Sequence, residues 1–237
     1  MSSEEKARID AIAADSWYGK GTNGAAAIYC GDVFARSWRG ARCLELGPAE
    51  GLMTPRIAAD FRDLTLVEGS ERFCAELAIR FPQARVVHSL FEDFAPDGRY
   101  DTIVLGHVLE HVVDPVGLLR AAKGWLAPKG AIYAAVPNAR SVHRQAAVTM
   151  GILPTEHSLN ESDVHHGHRR VYDPETFRAD FRAAGLQIRV FGGYFLKTLS
   201  SAQIDAQWTP QMLDAYLRLG ELYPDIAASI YVIASDG

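Results

Sequence analysis

From Arg42 to about Val136, short apolar runs alternate with longer amphipathic stretches, and this alternation restricts the chain to few architectures. Such a pattern builds βα units, whose strands must lie parallel and be covered by helices on both faces. RCLELG reads as a buried strand, LTLVEGS as the second, ARVVHSLF as the third, DTIVLGHV as the fourth and AIYAAVP as the fifth. Between the second and third, ERFCAELAIRF carries Phe73, Leu77 and Phe81 at helical spacing, with Ser70 placed to cap. DPVGLLRAAKGWL reads as a helix ended by Pro128 and Gly130.

After Pro137 the alternation lapses for about thirty residues rich in His, Arg, Asn and Ser, too long for an ordinary connection, so 138–172 is read as a lid or acceptor-binding segment. It resumes in DPETFRADFRAAG, where Asp173 caps, Pro174 starts and Gly185 stops a helix. LQIRVFGGYF follows as a strand, and the last stretch gives a helix and a closing strand. One domain over 1–237 is expected, with 1–37 as a helical N-terminal cover, 38–137 as the ligand-binding half and 173–237 completing the sheet.

Charge and composition narrow the partners. A net charge of −5 is wrong for a protein that holds a polyanion by clustered cations, so small molecules are expected in place of nucleic acid. No apolar run approaches the ~20 residues that cross a bilayer, and MSSEEKARID is acidic where a signal peptide is basic, so a cytoplasmic protein with no membrane partner is expected. Cys30, Cys43 and Cys74 are odd in number and lack CxxC spacing, which suggests neither a disulfide framework nor a thiolate metal site. Whether the chain is a monomer or a homodimer is left open.

The first strand runs into E-L-G-P-A-E-G, Glu45 to Gly51, where glycines let a ligand press on the backbone at a strand end. Pro48 stands where a dinucleotide fingerprint repeats glycine, and Glu45 would repel a phosphate. A diphosphate is poorly served, which disfavours a nicotinamide-dependent oxidoreductase. Glu45 suits an ammonium group instead. Glu68, ending the second strand before Gly69, is placed to accept hydrogen bonds from both hydroxyls of an unphosphorylated ribose. Leu90 and Phe91 are expected against the purine, with Glu92 or Asp93 near its amino group.

E-L-G-P-A-E-G, L-V-E-G-S, Y-D-T-I-V-L-G-H-V-L-E-H and L-A-P-K-G resemble, in order, the motifs of class I S-adenosylmethionine-dependent methyltransferases, over about Trp38 to Pro137. The resemblance implies an α/β, Rossmann-like, doubly wound, mostly parallel seven-stranded sheet with one late antiparallel strand. It implies S-adenosyl-L-methionine as cofactor, held by Glu45, Gly47, Pro48, Gly51, Glu68, Gly69, Phe91 and the Gly106–His107 turn. Pro48 in the glycine turn and Leu90, where many relatives carry an acid, depart from the pattern. Tyr18 or Tyr29 is expected to close over the methionine end.

Methyl transfer requires chiefly an aligned nucleophile and a group to take its proton, which histidine suits near neutral pH. His107, Glu110 and His111 share a face if their turn is helical, and His165, His166 and His168 form a second cluster. His111 or His168 is the expected base, with Glu110 orienting a histidine or capping the turn and His107 near the cofactor. With His168 as a fourth ligand, the set resembles that of plant small-RNA 2′-O-methyltransferases, where an acidic-x-x-Glu-His turn and a downstream His hold magnesium. His107 replaces the first acid here, favouring a softer ion such as Zn²⁺, Fe²⁺ or Mn²⁺. The Glu-His pair also occurs as a structural turn in metal-free relatives, and that reading is preferred.

Asn138, Arg144, His165, His166, Arg169, Arg170 and Tyr172 are candidates for gripping the acceptor. V-P-N-A-R-S-V-H-R, G-H-R-R-V-Y and G-G-Y-F-L-K resemble bacterial methyltransferases of sugar and secondary-metabolite pathways, implying transfer to O or N of a small polar acceptor. Non-methylating consumption of the same cofactor, by aminocarboxypropyl displacement or cyclisation, is the alternative.

Overall fold

The computed structural model describes residues 3–16 and 19–237. Seven strands form one sheet in the order β3-β2-β1-β4-β5-β7-β6. They are β1 (Arg42–Leu46), β2 (Asp63–Glu68), β3 (Arg85–His88), β4 (Tyr100–Gly106), β5 (Leu126–Pro137), β6 (Gln187–Tyr194) and β7 (Ser229–Ser235). The first five pair in parallel, while β7 is antiparallel to both β5 and β6. This is the expected doubly wound sheet with one late reversed strand.

Strand periodicity assigns the side chains. Leu44 and Leu46 enter one core with Ile103, Leu105, Ile132 and Ala134, under α5 (Pro115–Trp125) and α8 (Pro174–Ala183). Cys43, Leu66, Val104 and Tyr133 face the other way, toward α2 (Gly21–Ala35), α3 (Thr54–Asp60) and α4 (Glu71–Arg80). Because alternate residues share a face, Glu45 and Glu68 point with Cys43 and Leu66, toward the N-terminal helices. The α1 helix (Ser3–Ala14) packs against α4, and α2 against α3.

Helix starts follow the local chemistry. Ser70 caps α4 by accepting from Phe73 N, Asp114 caps α5 ahead of Pro115, and Asp173 with Thr176 closes a capping box ahead of Pro174. Gly185 takes the left-handed conformation (φ +74°) that ends α8.

The differences from expectation are local. Phe81 stands just past α4, although it stays buried. The third strand stops at His88, and Phe91–Asp93 turn as a 3₁₀ segment. The helix α5 ends at Trp125, so Pro128 and Gly130 lie in β5, beside a register shift opposite Tyr100. The segment 138–172 holds α6 (Val142–Thr149) and α7 (Glu161–His165), and α9 (Ser201–Gln207) precedes α10 (Pro210–Leu219). The short α7 is legible only through its Asn160–Asp163 capping box. Among the described residues no helix is long and apolar enough to cross a membrane.

Candidate active site

Strand order reverses between β1 and β4, and the loops leaving their carboxyl ends diverge there to leave a crevice. A cavity of about 1530 Å³ occupies it. Its floor is the ends of β1, β2, β4 and β5; its roof comes from α1, α2, α6, α7 and the start of α9.

At the β1 end the chain doubles back. Gly47 (φ +62°) and Gly51 (φ +67°) are left-handed, and Gly51 N donates to Pro48 O at 2.7 Å. A methyl group on Gly47 would stand 3.1 Å from Val108 Cγ2, and one on Gly51 2.8 Å from Leu77 Cδ2, so both positions need glycine for conformation and space. Ala49 is also left-handed (φ +48°), a strain tolerated by few side chains, and it aims its N–H at Glu68.

Glu68 is 6% exposed. Its Oε2 accepts from Ala49 N at 3.0 Å and its Oε1 from Ser70 N at 2.9 Å. Burial raises its pKa against these hydrogen bonds. Each oxygen keeps a further lone pair for a ligand hydroxyl. Glu45 accepts from Thr54 Oγ1 at 2.8 Å, and burial pushes its pKa up to about 8. Leu90, Phe91, Glu92 and Asp93 form the adjoining wall, with Gly69, Pro48 and Gly106.

The β4 end carries the second group. His107 is left-handed (φ +58°), and 108–111 form a turn closed by His111 N donating to Val108 O, so these residues are not on a helix as supposed. They converge nonetheless. His107 Nδ1 lies 3.4 Å from Glu110 Oε1 and its Nε2 2.8 Å from the Tyr194 hydroxyl. Neither oxygen of the buried Glu110 carboxylate has a hydrogen-bond partner among the described residues. Despite burial, His107, His111 and His168 hold Glu110 below its usual range, so it stays ionised. Burial lowers His111 to about 4 against the pull of Glu110, so its imidazole is neutral near pH 7.

His168 meets His111 edge to face, ring centroids 4.8 Å apart, and its Nδ1 lies 3.3 Å from Asp163 Oδ1. One ligand atom from each of Glu110, His111 and His168 falls within 4.8 Å of the others. His107 is outside that set, because its ring is held toward Tyr194.

A methyltransferase-domain family profile matches residues 29–189. The chain is a class I S-adenosylmethionine-dependent methyltransferase by family. This methyltransferase is 27% identical over 170 residues to a protein of Xanthomonas euvesicatoria pv. vesicatoria (strain 85-10) named ubiquinone biosynthesis O-methyltransferase. That match takes in 65% of this chain and 66% of the relative, slightly under two thirds of the latter's length. In fold it is similar to a putative methyltransferase solved in complex with the Haloferax volcanii Trm112 activator (TM-score 0.67, 15% identity, 96% of this chain and 97% of that one). It is also similar to the N-methyltransferase NodS of Bradyrhizobium japonicum WM9, solved with S-adenosyl-L-homocysteine (TM-score 0.62, 14% identity, 98% and 96%).

The residues expected to grip an acceptor are largely committed elsewhere. Tyr172 is buried in the sheet core with its hydroxyl on Asp180 at 2.9 Å, and it does not line the cavity of the methyltransferase. Asn138 donates to Asp225 O and Ala227 O and accepts from Arg140 N, so its polar atoms splice β5 to the C-terminal segment although it borders the cavity. Arg169 bonds His111 O and Glu5, Arg170 bonds Leu109 O and Val113 O, and His165 bonds Asp15 O; none of the three lines the cavity. His166 does line it. Tyr29 turns away to bond Glu221 and is no cover, and Tyr18 lies outside the described residues.

Arg144 borders the cavity but is buried inside the 138–172 segment. It donates to Asp163 Oδ2 at 3.0 Å, to Glu156 O at 2.8 Å and to Ser158 O. Asp163 is held down to about 2, burial notwithstanding, by His168, Asn160 N and Arg144. Sequence reasoning missed Asp163, His143, Asn23, Ser201 and Lys197 at the cavity wall. For Lys197 a signal was present, since it closes the G-G-Y-F-L-K run at a strand end. Arg144→Ala should cost about 3 to 5 kcal/mol in urea unfolding, because it leaves Asp163 buried and uncompensated; a loss below about 1 kcal/mol would mean that the pair is dispensable.

Proposed function

We propose that the cavity binds S-adenosyl-L-methionine across the β1, β2 and β3 ends and presents a small acceptor's hydroxyl oxygen to it beside His111 and His168. The observation that carries the reading is the pairing of two groups in one crevice: the Glu68 carboxylate with the Gly47–Gly51 turn, and the Glu110–His111–His168 cluster. When bound, the cofactor supplies a methyl group on a positively charged sulfur that is already a good leaving group.

The chain's own residues then do three things. Glu68 receives the ribose hydroxyls and Glu45 the ammonium end, while Leu90 and Phe91 pack on the purine beside Glu92 or Asp93. Glu110 stays ionised and fixes His107 against Tyr194, which sets that wall of the cavity. His111, neutral at physiological pH, takes the acceptor proton, with His168 in the orientation that Asp163 imposes. The relatives named for O-methylation support oxygen as the target, and a phenolic or enolic hydroxyl suits a weakly basic imidazole better than an alkyl alcohol does.

A second reading is favoured by one observation, the two oxygens of buried Glu110 that accept no hydrogen bond among the described residues and lie beside two imidazoles. A carboxylate and two histidines fit a borderline divalent cation, and Asp163 against His168 Nδ1 resembles the outer carboxylate that orients metal-bound histidines. Such an ion would be held by Glu110, His111 and His168 and would acidify an acceptor hydroxyl.

Three outcomes test these assignments. Glu68→Ala should weaken cofactor affinity by about 1 to 3 kcal/mol in calorimetric titration; unchanged affinity removes the ribose assignment. Glu45, protonated in the free protein below about pH 8, should release its proton when an ammonium binds. Affinity should therefore rise with pH up to about 8, with a binding heat that depends on buffer ionisation and loses that dependence in Glu45→Gln. His111→Ala should reduce kcat about a hundredfold or more with little change in cofactor affinity. Retained turnover excludes His111 as base, and loss of wild-type turnover on EDTA treatment, restored by Zn²⁺ or Mn²⁺, selects the metal reading.

A further inference from the structure

Lys197 follows the end of β6, where Phe195 is left-handed (φ +66°) and turns the chain over the cavity. Its ammonium makes one hydrogen bond, to Ser201 Oγ at 2.8 Å, and no ion pair among the described residues. Three donors on a point charge leave two unspent. Ser201 Oγ donates in turn to Asn23 Oδ1 at 3.2 Å, so the amide oxygen of Asn23 is consumed and its NH₂ remains as a donor. Lys197, Ser201 and Asn23 all line the cavity, as does His143, whose Nδ1 is buried with no hydrogen-bond partner among the described residues.

The nearby acids are engaged elsewhere. Asp163 takes Arg144 and the N-cap of α7, and Asp205 takes Thr22 N at 2.8 Å and the Thr22 hydroxyl. Both act on Lys197 only through space, as does Arg144 with opposite sign. Burial draws the lysine down to about 8, so it is still mostly cationic at pH 7, and it helps hold His143 neutral, near 3, after burial itself. A desolvated ammonium with unspent donors is costly unless the cavity brings it an anion.

We propose that the Lys197 ammonium and the Asn23 NH₂, held together by the Ser201 hydroxyl between them, form an oxyanion subsite in the cavity that takes a carboxylate. This rests on the reading of the cavity as a cofactor and acceptor site. The carboxylate has two sources, the amino-acid end of the cofactor or an anionic group on the acceptor, and in the second case the enzyme selects acids over their neutral analogues.

The experiment measures binding of S-adenosylhomocysteine and of 5′-methylthioadenosine, which lacks the amino-acid end, to wild type, Lys197→Gln and Lys197→Arg. In parallel, amine-reactive labelling of Lys197 is followed by mass spectrometry in wild type with benzoate or benzamide, with and without S-adenosylhomocysteine. If the cofactor supplies the carboxylate, Lys197→Gln weakens S-adenosylhomocysteine by about ten- to hundredfold, spares methylthioadenosine, and is partly rescued in Lys197→Arg. If the acceptor supplies it, both nucleosides bind as before, and benzoate but not benzamide protects Lys197 in the S-adenosylhomocysteine-loaded protein. An unchanged preference between the nucleosides together with no protection by benzoate overturns the proposal. Failure of both nucleosides to bind wild type defeats the cofactor reading instead, and protection of the ligand-free protein by benzoate then decides the subsite alone. Should Lys197→Gln not fold, the labelling arm on wild type still decides.

Discussion

One buried carboxylate ties together the two turns that define the cavity. Glu68 accepts the backbone amides of Ala49, in the turn after β1, and Ser70, at the start of α4. A charged group this buried is tolerable only because both amides point at it. Those amides point there only because Ala49 accepts a left-handed conformation and the glycines beside it allow the chain to double back. The shape of the cofactor end of the cavity thus follows from the solvation needs of a single side chain. The position of Glu68 is in turn set by the parallel pairing of β1 with β2, which brings Leu46 level with Val67.

The opposite end of the cavity is governed by a different economy. Glu110 is buried and ionised, with no hydrogen bond to either oxygen among the described residues, and three imidazoles surround it. The same cavity is lined by two cations, Arg144 and the half-buried Lys197. Arg144 is neutralised by Asp163 and by backbone carbonyls; Lys197 is not. Unspent donors and acceptors of Glu110, His143 and Lys197 thus gather where a substrate can meet them.

Most of the fold was legible because it depends on near-neighbour chemistry. Short apolar runs gave the strands, Ser70 and Asp173 gave helix starts, and the E-L-G-P-A-E-G and L-V-E-G-S runs located Glu45 and Glu68 at strand ends. Helix α6 was not legible, and α7 only through its capping box, since both are short, the apolar residues of α6 are half-buried and Val164 of α7 is exposed. The acceptor side was misread for a related reason. Arg144, Arg169 and Asn138 looked like ligand-binding groups, yet each bonds backbone carbonyls, those of Arg144 within its own segment and those of Arg169 and Asn138 far off in sequence.

By itself the sequence determined the alternation of strands and helices, the face that each strand residue would take, and the presence of a glycine turn and an acid at consecutive strand ends. These follow from pleat, helix period and φ preferences, which act over a few residues. Tertiary structure alone decided which polar side chains would be spent. Whether an arginine grips a substrate or a carbonyl, and whether a lysine meets an acid or lines a cavity, depends on segments brought together from the end of β6, α9 and α2. No local pattern encodes that meeting, because the energy that selects it is the desolvation of charge in a crevice built by the whole sheet.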